Sequence, residues 1–204
     1  MKRLLLILLV LVMFAGCAAP AAEGPVQPEE ITTETTDETV EATEETAEQP
    51  QEETVSLGTF TAQALTGGEY DERYFADAEL TVINVWATYC GPCKQEMPVL
   101  GALDRELENV QVLGIVTDVL DQQGEVDPKQ VEVALELHTT LGCDYPSLIL
   151  NEDLAMLGFA SLTAVPATLF VDRNGNLVGQ GFYGALDEAG WRDTIAQRLE
   201  LVEK

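Results

Sequence analysis

Trp86-Ala87-Thr88-Tyr89-Cys90-Gly91-Pro92-Cys93-Lys94-Gln95-Glu96-Met97-Pro98 is the stretch on which the fold turns. Immediately ahead, Leu80-Thr81-Val82-Ile83-Asn84-Val85-Trp86 is an apolar run rich in β-branched residues, of a length suited to a buried strand. Beyond it, Leu100, Leu103 and Leu107 recur at helical spacing, which predicts a helix over residues 90–108. The two cysteines therefore lie where a strand ends and a helix begins. The first turn of a helix leaves amide N–H groups unpaired and carries partial positive charge, which favours a thiolate over a thiol. Cys90 is thus expected to be the more reactive sulfur. Two intervening residues let the chain bring both sulfurs within bonding distance, so a Cys90 thiolate can attack a disulfide and Cys93 can resolve the mixed intermediate.

Two other uses of a Cys-x-x-Cys pair compete. Half of a zinc site needs two further soft or imidazole ligands, and only His138 and Cys143 are candidates. An inert staple is the other, but closing so short a loop removes little entropy from the unfolded chain.

The run from Trp86 to Pro98 resembles the active site of the thioredoxin superfamily, and specifically of the TlpA/ResA-like membrane-tethered thiol-disulfide oxidoreductases. The likeness spans residues 57–204 and includes Ala164-Val165-Pro166-Ala167-Thr168, similar to the loop where the superfamily carries a cis-proline facing the dithiol. The resemblance implies an α/β thioredoxin-like fold, a mixed sheet flanked by helices, with residues 118–157 as the family's central insertion. It implies Cys90 as nucleophile, Cys93 as resolving thiol, and Val165 and Pro166 presenting backbone to a substrate peptide. Trp86 would pack beside the sulfurs as part of the substrate site, and Tyr89 stands where relatives more often have a second tryptophan. Glu96, three residues after Cys93 on the same helical face, matches an acid the family uses near its active site, where a carboxylate can relay a proton. Asn84 occupies the central-strand place where thioredoxin itself has a buried acid. No cofactor is implied beyond a redox-active Cys90–Cys93 disulfide.

The chain has 204 residues, room for one ordinary domain with appendages. Residues 1–16 read as an export signal: Lys2 and Arg3 precede an eleven-residue apolar core, residues 4–14, too short to span a bilayer. Phe14-Ala15-Gly16-Cys17 resembles a bacterial lipoprotein processing site at which Cys17 becomes lipidated. An uncleaved anchoring helix over residues 4–22 is the alternative. Residues 17–56 form an acidic Thr/Glu-rich tether, since residues 18–56 hold twelve acids, no base and few large apolar side chains. Residues 57–204 then carry 24 acids against eight bases, a net charge of −16. So acidic a surface repels phosphate backbones, which excludes nucleic acid as a partner.

Within the domain, a strand is expected at 59–65, closed by Gly67-Gly68, with a short helix at 70–75. Residues 110–116 supply a further buried strand. Asp127-Pro128-Lys129-Gln130 has the cap, first-turn proline and third-position glutamine of a helix start. Val131, Ala134, Leu135 and His138 follow on one face, which makes His138 a core or edge residue before a catalyst. A strand at 147–150 and a helical turn at 153–157 come next, then a hairpin of 167–172 and 176–182 around Arg173-Asn174-Gly175. Asp187 caps a last helix whose stripe is Trp191, Ile195, Leu199 and Val202, with Leu186 folding back on Trp191. Pro98 inside the dithiol helix cannot donate to residue 94. Cys143, left without a partner once Cys17 is lipidated and Cys90 pairs with Cys93, is expected to be a buried small hydrophobe or to serve a regulatory or intermolecular disulfide.

The resulting expectation is a lipid-anchored extracytoplasmic thiol-disulfide oxidoreductase. Its partners would be disulfide-bearing exported proteins, apocytochrome c among them, and a membrane-embedded thiol reductase as electron donor. A thiol peroxidase of the same fold is an alternative, although no Pro-x-x-x-Thr/Ser-x-x-Cys pattern surrounds Cys90. A tethered binding module with permanently oxidised cysteines is another.

Overall fold

The computed structural model describes residues 54–202. The expected signal, Cys17 and nearly all of the tether lie outside these residues. Two short antiparallel strands come first, β1 (Thr61–Gln63) and β2 (Glu69–Asp71), turned by Gly67 and Gly68 at φ +85° and +91°. That region of backbone space is open to glycine and costly for other residues. The turn folds 69–71 back onto 61–63, so the helix expected at 70–75 begins later, as a 3-10 helix over Glu72–Asp77 capped by the Asp71 carboxylate. Backbone bonds from Leu57 N–H to the Gly175 carbonyl and from Leu177 N–H to the Val55 carbonyl tie the start of the described chain to the 173–177 turn.

β3 (Leu80–Trp86) is buried at all seven residues, which is why its sequence reads as an unbroken apolar run. It feeds α1 (Gly91–Glu106), which contains Pro98 and stops two residues short of expectation, where the Leu107 N–H bonds the Leu103 carbonyl. β4 (Val110–Val116) lies parallel to β3 over their whole length. α2 (Pro128–Thr140) is capped by Asp127, β5 (Ser147–Ile149) pairs parallel to β4, and α3 (Glu152–Met156) follows. β6 (Ala167–Asp172) runs antiparallel to β3 and β7 (Phe182–Tyr183) antiparallel to β6.

The second arm expected at 176–182 is interrupted. Leu177 bridges Val171, but the strand resumes only at Phe182. Gly179 at φ +64° lies in the interruption, and Gly181 passes so close to β6 that a Cβ there would sit 2.6 Å from the Thr168 carbonyl oxygen. α4 (Glu188–Val202) closes the fold, with Asp187 accepting the Gly190 N–H at 2.9 Å.

The strand order is β5-β4-β3-β6-β7, a mixed sheet. Alternation along β3 divides the core into two layers. Leu80, Val82 and Trp86 face a layer with Met97, Leu100 and Leu103 of α1, Ala134 of α2, and Trp191 and Ile195 of α4. Ile83 and Val85 face Phe60, Phe75, Leu154 and Phe159 on the other side. Burying a Val, Leu, Ile or Phe side chain contributes roughly 1.5–3 kcal/mol, so β3, with both faces covered, anchors both layers. Among the described residues no helix is long and apolar enough to cross a membrane.

A glycine of β4 is also required by packing. Gly114 of β4 lies beside Ser147 of β5, whose buried hydroxyl accepts the Trp86 indole N–H at 2.8 Å. A Cβ at position 114 would meet that hydroxyl oxygen at 2.6 Å. Gly114→Ala should therefore lower stability by about 1–3 kcal/mol, the usual cost of overpacking, read from urea unfolding.

Candidate active site

The carboxyl end of β3 turns into α1 through residues 87–90, where the Cys90 N–H donates to the Ala87 carbonyl at 3.0 Å. Cys90 is the N-cap of α1, and its sulfur accepts the Cys93 N–H at 3.1 Å. A side-chain acceptor at this position satisfies one of the amides a helix start leaves unpaired. Cys90 and Cys93 are joined as a disulfide with their Cα atoms 5.3 Å apart. Cys90 is 5 % exposed and Cys93 wholly buried, so an incoming reagent meets Cys90 first.

Three residues after Cys93 in α1 comes Glu96. It is fully buried, accepting the Asn84 side-chain amide at 2.8 Å and the Leu186 N–H at 3.2 Å. Burial pushes its pKa up to about 7, against the pull of those two donors. Asn84 and Glu96 are thus direct partners: the strand supplies the amide and the helix the acid.

The remaining residues proposed from sequence fall in different places. The Val165–Pro166 peptide bond is cis, Pro166 is buried, and its carbonyl accepts the Gly184 N–H. Val165 and Tyr89, the latter 74 % exposed, line one cleft of about 240 Å³ with Thr117, Leu150, Phe159 and Leu162. Trp86 needs correction as a substrate-contacting residue. Its side chain has no exposed surface, packs in the same cluster as both sulfurs, and points its N–H across β4 at Ser147 of β5.

His138 stacks on Trp86, ring centroids 6.3 Å apart, and meets Tyr145 edge-on at 5.2 Å. Neither imidazole nitrogen has a hydrogen-bond partner, and burial lowers its pKa to about 4. Cys143 is a free buried thiol 3.7 Å from the Met97 carbonyl, pushed up by burial to about 11. Among the described residues no three His, Cys, Asp or Glu side chains are grouped as a metal site would require.

A set of residues around Thr88 escaped the sequence. Asp118 accepts the Thr88 N–H and hydroxyl, Gln130 donates to that hydroxyl, and Lys94 donates to the Thr88 carbonyl. The one signal available was Gln130 at the third position of α2, which local capping rules send back to residue 127.

A mixed sheet covered on both faces, with a Cys-x-x-Cys disulfide at the start of the first long helix, defines a thioredoxin-like domain. The chain belongs to the AhpC/TSA family, whose model matches residues 56–180. It is 27 % identical over 119 residues to the thiol:disulfide interchange protein DsbE of Pseudomonas fluorescens biotype C, covering 58 % of this chain and 60 % of that protein. The chain spans about three fifths of the length of the curated relatives it matches. Among solved structures it is similar to a thiol:disulfide interchange protein, described as a thioredoxin family protein, from Chlorobium tepidum TLS. There the TM-score is 0.60 at 17 % identity, covering 73 % of this chain and 99 % of that one. It is also similar to the exposed lipoprotein thioredoxin Etrx1 of Streptococcus pneumoniae strain TIGR4, with TM-score 0.54, 19 % identity and coverage of 70 % and 98 %.

The two buried titrating groups act on stability with opposite sign. Folded Glu96 holds its proton up to about pH 7 whereas the unfolded side chain releases it near 4.5, so stability falls as pH rises through that window. Folded His138 stays neutral down to about pH 4 whereas the unfolded imidazole takes a proton near 6.5, so stability is lost as pH falls through that window. Urea unfolding across these ranges should show Glu96→Gln removing the first dependence and His138→Phe the second, each roughly 3 kcal/mol in size.

Proposed function

We propose that this protein is an extracytoplasmic, membrane-tethered thiol-disulfide oxidoreductase that reduces disulfides in exported proteins. The observation that carries the proposal is the Cys90–Cys93 disulfide at the amino end of α1, with Cys90 the outer sulfur and its Sγ on the Cys93 N–H. Once reduced, Cys90 holds a thiolate at the positive end of the helix. It attacks one sulfur of a substrate disulfide, forming a mixed disulfide and releasing the other substrate sulfur as thiolate, which takes up a proton. Cys93 then loses its proton and attacks the Cys90 sulfur, expelling the second substrate thiolate and restoring the Cys90–Cys93 disulfide. Two electrons have moved from the protein dithiol to the substrate. A membrane-embedded thiol reductase returns them by the same exchange in reverse.

Glu96 is placed in this scheme as the proton acceptor for Cys93. A carboxyl poised near neutrality, one helical turn from the resolving thiol, suits that transfer. The cleft lined by Tyr89 and Val165, with the cis-proline behind it, receives the substrate segment next to its cysteine. Trp86 acts from below, supporting the sulfurs and excluding water.

Anchoring follows from Phe14-Ala15-Gly16-Cys17, with lipidated Cys17 holding the domain to the membrane through the acidic tether. The likeness to a structure described as an exposed lipoprotein supports this, and the curated relatives named thiol:disulfide interchange proteins support the activity. Apocytochrome c is one exported, disulfide-bearing substrate that fits.

In the native host, Cys93→Ser should trap a substrate on Cys90 as a mixed disulfide, identifiable by mass spectrometry, while Cys90→Ser traps none. With the purified chain, Cys90→Ser should abolish reduction of protein disulfides, and Glu96→Gln should slow the resolving step by about 100-fold. Peroxide consumption by the reduced chain without any disulfide reduction would overturn the proposal in favour of a thiol peroxidase.

A further inference from the structure

We propose that Asp118, acting with Gln130, is a positioning residue for the dithiol: it clamps Thr88 and thereby fixes the loop that delivers Cys90 to the start of α1. The proposal rests on the oxidoreductase reading and names residues that act through Cys90 rather than on substrate.

Thr88 lies two residues before Cys90 and is 9 % exposed. Each of its polar groups is engaged. The N–H donates to both Asp118 carboxylate oxygens at 3.0 Å, and the hydroxyl donates to Asp118 Oδ2 at 2.5 Å. That hydroxyl also accepts from Gln130 Nε2 at 2.8 Å, and the carbonyl accepts from Lys94 Nζ at 3.1 Å. The partners come from three segments: Asp118 just beyond β4, Gln130 in the first turn of α2 and Lys94 in the first turn of α1.

Gln130 shows that this bond is selected over a local one. In a capping box its side chain would turn back to the Asp127 N–H, but that N–H is held by the Val119 carbonyl at 2.9 Å. Gln130 reaches across to Thr88 instead, tying the insertion to the dithiol loop.

The clamp acts on Cys90 through geometry. The Thr88 fixture sits inside the turn closed by Cys90 N–H on the Ala87 carbonyl, so loosening it lets Sγ drift from the Cys93 N–H. That N–H is the hydrogen bond that favours a thiolate once the disulfide opens. Charge alone works the other way, since removing a nearby carboxylate would make the thiolate easier to form. The sign of the effect therefore separates positioning from simple electrostatics.

The test uses the full chain, reduced with dithiothreitol and alkylated with iodoacetamide across about pH 4 to 9, with labelling of Cys90 read by peptide mass spectrometry. Asp118→Ala and Thr88→Val should each slow Cys90 alkylation at neutral pH by about tenfold, the loss of one charge-assisted hydrogen bond, and move the midpoint of the pH profile upward. Asp118→Asn, which keeps an acceptor for the Thr88 N–H, should recover most of the rate. Thr88→Val removes only a hydroxyl and carries the same expectation should Asp118→Ala not fold. An unchanged or faster alkylation in Asp118→Ala or Thr88→Val, or no rescue by Asp118→Asn, overturns the clamp. The readout needs no substrate, so a wild-type chain unable to reduce protein disulfides would defeat the oxidoreductase reading separately.

Discussion

A strand covered on both faces has only its ends left for chemistry, and in this domain that constraint governs the rest. β3 has no residue in contact with solvent, so its side chains can only pack or find buried polar partners. The chain emerges at Trp86, turns once and starts α1, and one first-turn amide of that helix, that of Cys93, meets the sulfur of Cys90. The same strand direction puts Asn84 on the α1 face, two residues below the exit, where it holds the Glu96 carboxyl. The outer sulfur and the buried acid are consequently set by one strand and the first two turns of one helix.

Burial of polar groups under this junction has a cost that the fold distributes. Glu96 receives two hydrogen bonds, enough to hold it in place but not enough to keep it ionised at acid pH. His138 receives none and remains neutral, filling the space between Trp86 and Tyr145 as an aromatic plate. Between mild acid and neutrality the two groups bias stability in opposite directions, so the intact domain titrates more flatly than either group alone would dictate.

Legibility in the sequence tracked the range of the interactions. Residues 80–86 and 110–116 were readable to the residue because burial on both faces writes itself as a continuous apolar run. The dithiol, the Asp127 and Asp187 caps and the stripe of α4 were readable because they depend on neighbours within one or two turns. The helix expected at 70–75 is present from residue 72, and only its first two residues differ, because strand pairing with 61–63, imposed by two glycines, overrides the local helical pattern there. The second arm of the β6 hairpin broke because the approach of residues 179–181 to β6 and to α4 depends on parts of the chain distant in sequence. Spacing alone put Glu96 near Cys93, but its burial depends on Asn84 and Leu186, twelve residues before it and ninety after. Trp86 was assigned to the substrate surface because nothing local announces Ser147, sixty-one residues later, as the partner that draws its indole inward.

The strand pairing of residues 55–57 against the 173–177 turn also fixes a direction. That turn follows Asp172, which stands opposite Leu80 at the start of β3, whereas the sulfurs lie beyond the strand's far end at Trp86. Seven residues of extended chain put about 20 Å between the two. The described chain therefore enters the domain at the pole opposite the sulfurs, and its entry takes up none of the surface around Cys90.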